Sequence, residues 1–211
     1  MRSHLIPLAA TAACLVLISS RPGAYTLNGP TWHQSSVPYY INPANFDLAP
    51  SAAEAAVRAG AATWEQQASI ALHFAYAGPS TQTTTGFDNV NLVVFRNASS
   101  GSAIATTYWW SNSSGIVDAD IVFWDGAFQF FAGTTGCSGG FYIEDIAAHE
   151  FGHVLGLGHS TSTAATMYPS TSTCNTANRS LDADDISGAR ALYPLASPSS
   201  PMPPTNLRIV S

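Results

Sequence analysis

The chain of 211 residues contains no lysine, and all seven of its basic residues are arginine. Charged side chains make up only 9% of the sequence, and 13 acidic residues give the chain a net charge of −6. Such a composition provides no basic patch for nucleic acid or for an anionic membrane surface, so we expect no nucleic-acid partner. Its length and its apolar share of 46% are ordinary for a chain that buries a core. We expect one main domain with short appendages, acting as a monomer.

The sequence also lacks an apolar run long enough to span a membrane. Its most apolar stretch, Leu5 to Ile18, follows a polar start that contains Arg2 and His4. A spanning helix needs about 20 apolar residues, whereas a secretory signal peptide needs fewer. We therefore predict a signal peptide over residues 1–24 and a secreted, extracellular protein. A lipid anchor at Cys14 is a weaker alternative, because the apolar run continues past that residue.

Cysteine is scarce, with three residues in the whole chain. Removal of the signal peptide leaves Cys137 and Cys174. An even pair in an exported protein favours a disulfide bond, and two free thiols are the alternative. Closing a loop of this size is worth about 4 kcal/mol in the chain-entropy model.

Against this background, the residues from His149 to His159 read H-E-x-x-H-x-x-G-x-x-H. His149 and His153 are four residues apart and would lie on the same face of a helix. Gly156 allows the helix to stop and the chain to turn, which brings His159 back as a third ligand. Three imidazoles with an open fourth position predict one catalytic Zn²⁺. Glu150 would be the general base on the bound water, whose pKa the metal lowers to about 7.

The motif and its surroundings resemble those of the metzincin metallopeptidases, and among them the matrixins (matrix metalloproteinase-like). Ser160 follows the third histidine as in matrixins, whereas astacins, adamalysins and serralysins usually carry Glu, Asp and Pro there. Thr166-Met167-Tyr168-Pro169 resembles the matrixin Met-turn. The segment from Leu181 to Tyr193 is similar to the matrixin C-terminal helix. The resemblance covers about residues 30–195.

The resemblance implies an α+β fold of the metzincin type, with a zinc metallopeptidase catalytic domain over residues 25–195. Its five-stranded, mixed and twisted sheet would pack against two long helices and a C-terminal helix, with zinc in the cleft. Met167 would support the zinc site from below, and no tyrosine ligand is expected because Tyr168 directly follows it. Residues 196–211 are rich in serine and proline and indicate a linker or the truncated start of a further module.

Alternation and propensity predict the individual elements. The five predicted strands are Val37–Ile41, Ile70–Tyr76, Val90–Phe95, Ile104–Trp109 and Ile116–Trp124. The first helix is predicted from Pro50 to about Gln67, with Ser51 and Glu54 forming a capping box. The zinc helix would begin at about Phe141 or Tyr142. The last helix would be capped by Asp182 and Asp185 and would end near Tyr193.

By resemblance, the strand around Ile104 to Tyr108 corresponds to the edge strand above the matrixin cleft. An extended peptide can add to such an edge through main-chain hydrogen bonds. Tyr168 and Pro169 would wall the pocket for the residue after the cleaved bond. The residues expected to contact substrate are Ile104, Ala105, Thr106, Tyr168 and Pro169.

Two features of animal matrixins have no counterpart in this sequence. We expect no cysteine-switch propeptide, because Cys137 and Cys174 flank the zinc motif within the domain. We also expect no second, structural zinc, because only His33 and His73 remain outside the motif and the signal segment. Calcium is left open, since hard oxygen ligands are present. These acidic residues, for which surface charge and turn formation are the alternative roles, are Asp88, Asp118, Asp120, Asp125 and Glu144.

The sequence thus predicts a secreted zinc endopeptidase that hydrolyses peptide bonds of extracellular proteins. One alternative is a processing peptidase of narrow specificity, acting on a single partner. Another is a zinc-stabilised, non-catalytic binding module. Glu150 argues against the module, because a structural zinc needs no base and usually fills all four positions with protein ligands.

Overall fold

The computed structural model describes residues 23–195. Five strands form the main sheet, two further strands form a small separate pair, and three α-helices complete the described chain. The strands are β1 (Ser36–Asn42), β2 (His73–Pro79), β3 (Leu92–Phe95), β4 (Ala105–Asn112), β5 (Gly115–Phe123), β6 (Phe130–Phe131) and β7 (Phe141–Tyr142). The helices are α1 (Pro50–Ala68), α2 (Ile143–Leu155) and α3 (Ala183–Leu192). The predicted linker, and the predicted signal peptide apart from its last two residues, lie outside the described range.

The main sheet has the strand order β2-β1-β3-β5-β4. Strands β2, β1, β3 and β5 run parallel to one another, whereas β4 pairs antiparallel with β5 and lies at the edge. The α+β fold with a five-stranded mixed sheet and three helices is therefore confirmed. The edge position of β4 leaves one side of that strand without a partner strand among residues 23–195.

Helices α1 and α2 pack tightly against each other on one face of the sheet. Gly60 allows this approach, since a Cβ atom there would collide with Ala147 and with the backbone of Ala148. Trp64 is fully buried, and its indole Nε1 donates to the carbonyl of Ala148 at 2.8 Å. Trp64 therefore anchors the helix that carries the histidine motif to the core.

Several of the predicted boundaries and caps differ from the structure; among the strands, β3 begins at Leu92 rather than at Val90, and β4 extends to Asn112 rather than ending at Trp109. The helix α1 begins at Pro50 with Ala49 as N-cap and no side-chain cap, so the capping box of Ser51 and Glu54 is wrong. Pro50 occupies the first helical position, where its missing N–H costs nothing. Strand β2 begins at His73 rather than at Ile70. Phe141 and Tyr142 pair with Phe130 and Phe131, so α2 begins only at Ile143.

The helix α3 begins as predicted. Asp182 is its N-cap and accepts a hydrogen bond from the backbone N–H of Asp184, and Asp185 completes a capping box. Two reciprocal hydrogen bonds therefore define the start of α3.

Two acidic residues of β5 face away from the helices and are nonetheless buried. Asp118 Oδ2 accepts the backbone N–H groups of Asp88 and Asn89, at 2.7 and 2.8 Å. Asp120 accepts those of Gly86 and Leu92, at 2.8 and 3.0 Å. Both carboxylates thus stabilise the turn before β3. Turn formation was predicted for these residues as an alternative to calcium binding. They do so from the interior rather than from the surface.

No helix in the described part of the chain is long and apolar enough to cross a membrane.

Candidate metal centre and cleft

The histidine motif lies at the C-terminal end of α2 and in the turn that follows it. Gly156 ends the helix with a φ of 102°, and its N–H bonds back to the carbonyls of Gly152 and His153. A side chain at Gly156 would be strained by this φ and would also press on the carbonyl of Pro30. The predicted turn at Gly156 is therefore present, and it directs the chain back towards His159.

The three histidine side chains converge on one point. His153 Nε2 lies 3.1 Å from His149 Nε2 and 3.2 Å from His159 Nε2. One ligand atom from each residue lies within 4.8 Å of the other two, close enough for all three to hold a single metal ion. Among residues 23–195, no other group of three or more His, Cys, Asp or Glu side chains meets this condition.

Backbone carbonyls orient two of these rings. His149 Nδ1 lies 2.7 Å from the carbonyl of Thr166, and His153 Nδ1 lies 2.8 Å from the carbonyl of Leu157. A carbonyl can only accept, so each Nδ1 carries the proton and each Nε2 offers its lone pair to the centre. These residues fit the requirements of a zinc ion, which prefers neutral imidazole.

Burial keeps both rings in the neutral form. Desolvation in the cleft lowers the pKa of His149 to about 4, against the opposing effect of its hydrogen bond to Thr166. Desolvation and the nearby His149 likewise lower the pKa of His153 to about 4. Because metal binding requires deprotonated histidine, this environment favours binding at neutral pH.

Met167 packs against α2 at Gly152, between His149 and His153 in sequence. It is almost fully buried, and its sulfur occupies the space that a Cβ atom at Gly152 would need. Its carbonyl accepts the N–H of Ser160 at 2.9 Å, which joins the Met-turn to the residue after His159. Met167 therefore packs against the helix that carries His149 and His153, and it does not line the cleft.

A cleft of about 340 Å³ opens above the histidines. All five residues predicted to contact substrate line it, with Ile104, Ala105 and Thr106 on the β4 side and Tyr168 and Pro169 on the other. Glu150 also lines the cleft, although only 5% of its surface is exposed. Burial raises the pKa of Glu150, and the neighbouring His153 and the Thr107 hydroxyl oppose this shift.

Thr107 is a residue of the site that the sequence analysis did not single out. Its hydroxyl donates to Glu150 Oε2 at 2.6 Å and lies 3.1 Å from the Glu150 carbonyl. A threonine within a predicted edge strand carries no recognisable signal by itself. Only the pairing register of β4 shows that this hydroxyl faces α2.

The segment from Tyr168 to Asn178, which we term the wall loop, is attached to the segment before β7 and to the first turn of α2. Cys137 and Cys174 form the expected disulfide, and the Cys174 N–H donates to the carbonyl of Gly140 at 2.9 Å. Directly after the loop, Arg179 bonds to Asp145 at 2.6 Å. These links fix the wall of the cleft opposite β4.

Two more of the acidic residues considered as calcium ligands, Asp125 and Glu144, have protein partners. Asp125 Oδ2 accepts the N–H of Phe46 at 2.8 Å, and Glu144 pairs with Arg179 at 3.0 Å. Desolvation raises the pKa of both carboxyl groups. These contacts show structural roles for the two side chains.

The chain is similar in sequence to one family of peptidases. The model of a peptidase family described as matrixin matches residues 31–194. Neutrophil collagenase from Homo sapiens is 46% identical over 71 residues, which are 34% of this chain and 15% of that protein. Metalloendoproteinase 1 from Glycine max is 51% identical over 53 residues, or 25% and 17% of the two chains. Matrix metalloproteinase-20 from Homo sapiens is 50% identical over 54 residues, or 26% and 11%. The aligned stretches thus span less than a fifth of each of these relatives.

Proposed function

The chain belongs to the matrixin family of metallopeptidases, and we propose that it is a secreted, zinc-dependent endopeptidase that cleaves extracellular proteins. His149, His153 and His159 hold the zinc, and Glu150 is the general base. The observation that carries this proposal is the convergence of three imidazoles beside a buried carboxylate in one cleft. We further propose that the protein acts as a monomer and that residues 1–24 direct its export.

The chemistry divides between the metal and the protein. When bound, zinc supplies a Lewis acid that polarises the scissile carbonyl and makes water more acidic. Glu150 takes one proton from the attacking water as the new C–O bond forms, and it passes this proton to the departing amine nitrogen as the C–N bond breaks. The other water proton stays with the new carboxylic acid, so the step needs no further reactant.

We propose that β4 binds the substrate backbone. The carbonyl of Ile104 accepts the N–H of Trp124 at 3.1 Å, so Ile104 turns its backbone groups towards β5. Because backbone groups alternate along an antiparallel strand, those of Ala105 turn outwards. Ala105 also lines the cleft, and an extended peptide can therefore pair with it as an added strand. Tyr168 and Pro169 then form the wall of the pocket for the residue after the cleaved bond.

The test compares the exported full-length protein with Glu150→Ala, each loaded with zinc and incubated with casein and a mixed peptide library. We expect the parent to cleave and a chelator to abolish cleavage. Glu150→Ala should bind one zinc per chain but lose at least about 100-fold in turnover. The matched control Glu54→Ala, on the outer side of α1, should cleave like the parent. Full turnover by Glu150→Ala would refute the role of Glu150 as the base.

The same experiment separates the alternatives. Cleavage of one partner protein only, with no cleavage of casein or the library, would favour a narrow processing peptidase. One zinc per chain with no hydrolysis of any unfolded protein would favour a binding module. Binding of calcium as a second ion, beside zinc, stays open. It is tested by adding calcium to protein that has been chelated and reloaded with zinc, and by measuring the thermal stability.

A further inference from the structure

Glu150 is held from the side of the sheet by one neighbouring residue. Thr107 donates its hydroxyl to Glu150 Oε2 at 2.6 Å, a short distance typical of a hydrogen bond to a charged oxygen. The same hydroxyl lies 3.1 Å from the Glu150 carbonyl on α2. The contact therefore ties both the carboxylate and the helix backbone to β4, and the hydroxyl leaves Oε1 to other partners.

The register of β4 sets this contact. Thr107 pairs with Ile121 of β5, and its side chain lies on the face of the sheet that carries α2. The preceding residue, Thr106, points to the opposite face, where its hydroxyl accepts from Trp124 Nε1 at 2.9 Å. Because side chains alternate along a strand, only one of these two adjacent threonines can reach Glu150.

Threonine suits a fixed donor at this position. Its β-branched side chain has restricted rotation about χ1, so little entropy is lost when the hydroxyl is held in one orientation. A general base must keep one oxygen within hydrogen-bond reach of the proton that it takes. A donor on the other oxygen restricts how the carboxylate can rotate, and small displacements of a catalytic group can cost about 100-fold in rate.

We propose that Thr107 is a positioning residue for the reaction, which holds Glu150 Oε2 so that Oε1 is presented to the attacking water. The inference rests on the proposed function of Glu150 as general base. Thr107 itself does not touch the reacting atoms. Its hydroxyl keeps donating to Oε2 while the proton enters and leaves at Oε1.

The test uses the zinc-loaded, full-length protein with Thr107→Val and Thr107→Ser. Valine keeps the branched shape and suits a strand, so the fold should be retained without the hydroxyl. We expect Thr107→Val to lower kcat by roughly 10- to 100-fold, as for loss of a hydrogen bond to a charged group, with KM and zinc content unchanged. Thr107→Ser should restore kcat to within about threefold of the parent, since it restores the donor.

The matched control is Thr63→Val in α1. Thr63 is buried and its hydroxyl, like that of Thr107, bonds to a carbonyl, here that of Ala59, but it lies outside the cleft. This variant should keep the parent's kcat. Unchanged kcat in Thr107→Val, or an equal loss in Thr107→Val and Thr107→Ser, would overturn the proposal.

A second measurement does not depend on activity. Crystal structures of the three Thr107 forms should show one conformer of the Glu150 side chain in the parent and in Thr107→Ser, and several in Thr107→Val. The same single conformer in all three would also overturn the proposal. If the parent cleaves nothing while Glu150 becomes mobile only in Thr107→Val, the proposed peptidase fails but the positioning by Thr107 stands.

Discussion

The carboxylate of Asp185 accepts a hydrogen bond from the backbone N–H of Met167, at 3.0 Å. Its other oxygen accepts the N–H groups of Thr166 and Asp182, at 2.7 and 2.9 Å. The carbonyl of Thr166 in turn faces Nδ1 of His149. One buried carboxylate at the start of α3 therefore positions the turn that orients a proposed metal ligand.

We predict that Asp185→Asn destabilises the protein and weakens zinc binding. The amide has a single acceptor oxygen, so at least one buried N–H would face an NH₂ group. An unsatisfied buried donor costs about 1–3 kcal/mol, so the free energy of unfolding should fall by at least roughly that amount. Loss of support behind His149 should lower zinc affinity about 10- to 100-fold. Urea unfolding and a zinc competition assay measure the two effects.

The control for this prediction is Asp88→Asn, at an exposed aspartate far from the Met-turn in sequence. Surface substitutions usually change the free energy of unfolding by less than about 0.5 kcal/mol. If Asp185→Asn changed stability and zinc affinity as little as Asp88→Asn, the support of the Met-turn by Asp185 would be unimportant.

We predict that removing the disulfide destabilises the protein and loosens the wall loop. The bond between Cys137 and Cys174 spans 37 residues of sequence, which corresponds to about 4 kcal/mol in the chain-entropy model. The double variant Cys137→Ser/Cys174→Ser should lose up to this amount in urea unfolding. A peptide library should show broader preference after the cleaved bond, because Tyr168 and Pro169 belong to the wall loop. A parent whose unfolding midpoint is insensitive to reductant would contradict the prediction.

Several features could be predicted from the sequence because their signals are local. The spacing of His149 and His153 places both side chains on one face of a single helical turn. Gly156 readily adopts the left-handed backbone conformation that ends a helix. The alternation of Ala119, Ile121 and Phe123 likewise determines which side of β5 enters the core. Such features need no knowledge of distant parts of the chain.

Other features depend on contacts between distant residues. Thr107 and Glu150 are 43 residues apart, and a slip of one residue in the register of β4 would put Thr106 in the same place. The pattern of β5 put Asp118 and Asp120 on one face but could not show that a turn covers them. At the start of α1, Ser51 as a possible N-cap competed with Pro50, which favours the first helical position. Pro50 takes that position, so Ser51 lies inside the helix and does not cap it.

We predict that Ala105→Pro impairs peptide cleavage with little effect on the fold. The N–H of Ala105 points away from β5, so proline removes a donor from the cleft side without breaking the ladder. Loss of one main-chain hydrogen bond should lower kcat/KM for extended peptides about tenfold, mainly through KM. Circular dichroism and zinc content should match the parent. Unchanged peptide kinetics would show that substrate does not pair with β4.

We predict that the buried carboxyl group of Asp120 makes the protein less stable as the pH rises from about 4 to about 6. Burial raises the pKa of Asp120 from 3.8 to about 6, even though two backbone N–H groups favour its ionised form. The folded state therefore holds a proton that the unfolded state has already released, and stability falls with pH across this window. The loss is at most roughly 3 kcal/mol, at 1.36 kcal/mol per pKa unit.

The variant Asp120→Asn cannot ionise, so its free energy of unfolding, measured in urea with saturating zinc, should vary less with pH. The control variant Glu54→Gln should follow the parent. An equal pH dependence in the parent and in Asp120→Asn would mean that Asp120 is ionised in the folded protein throughout this range.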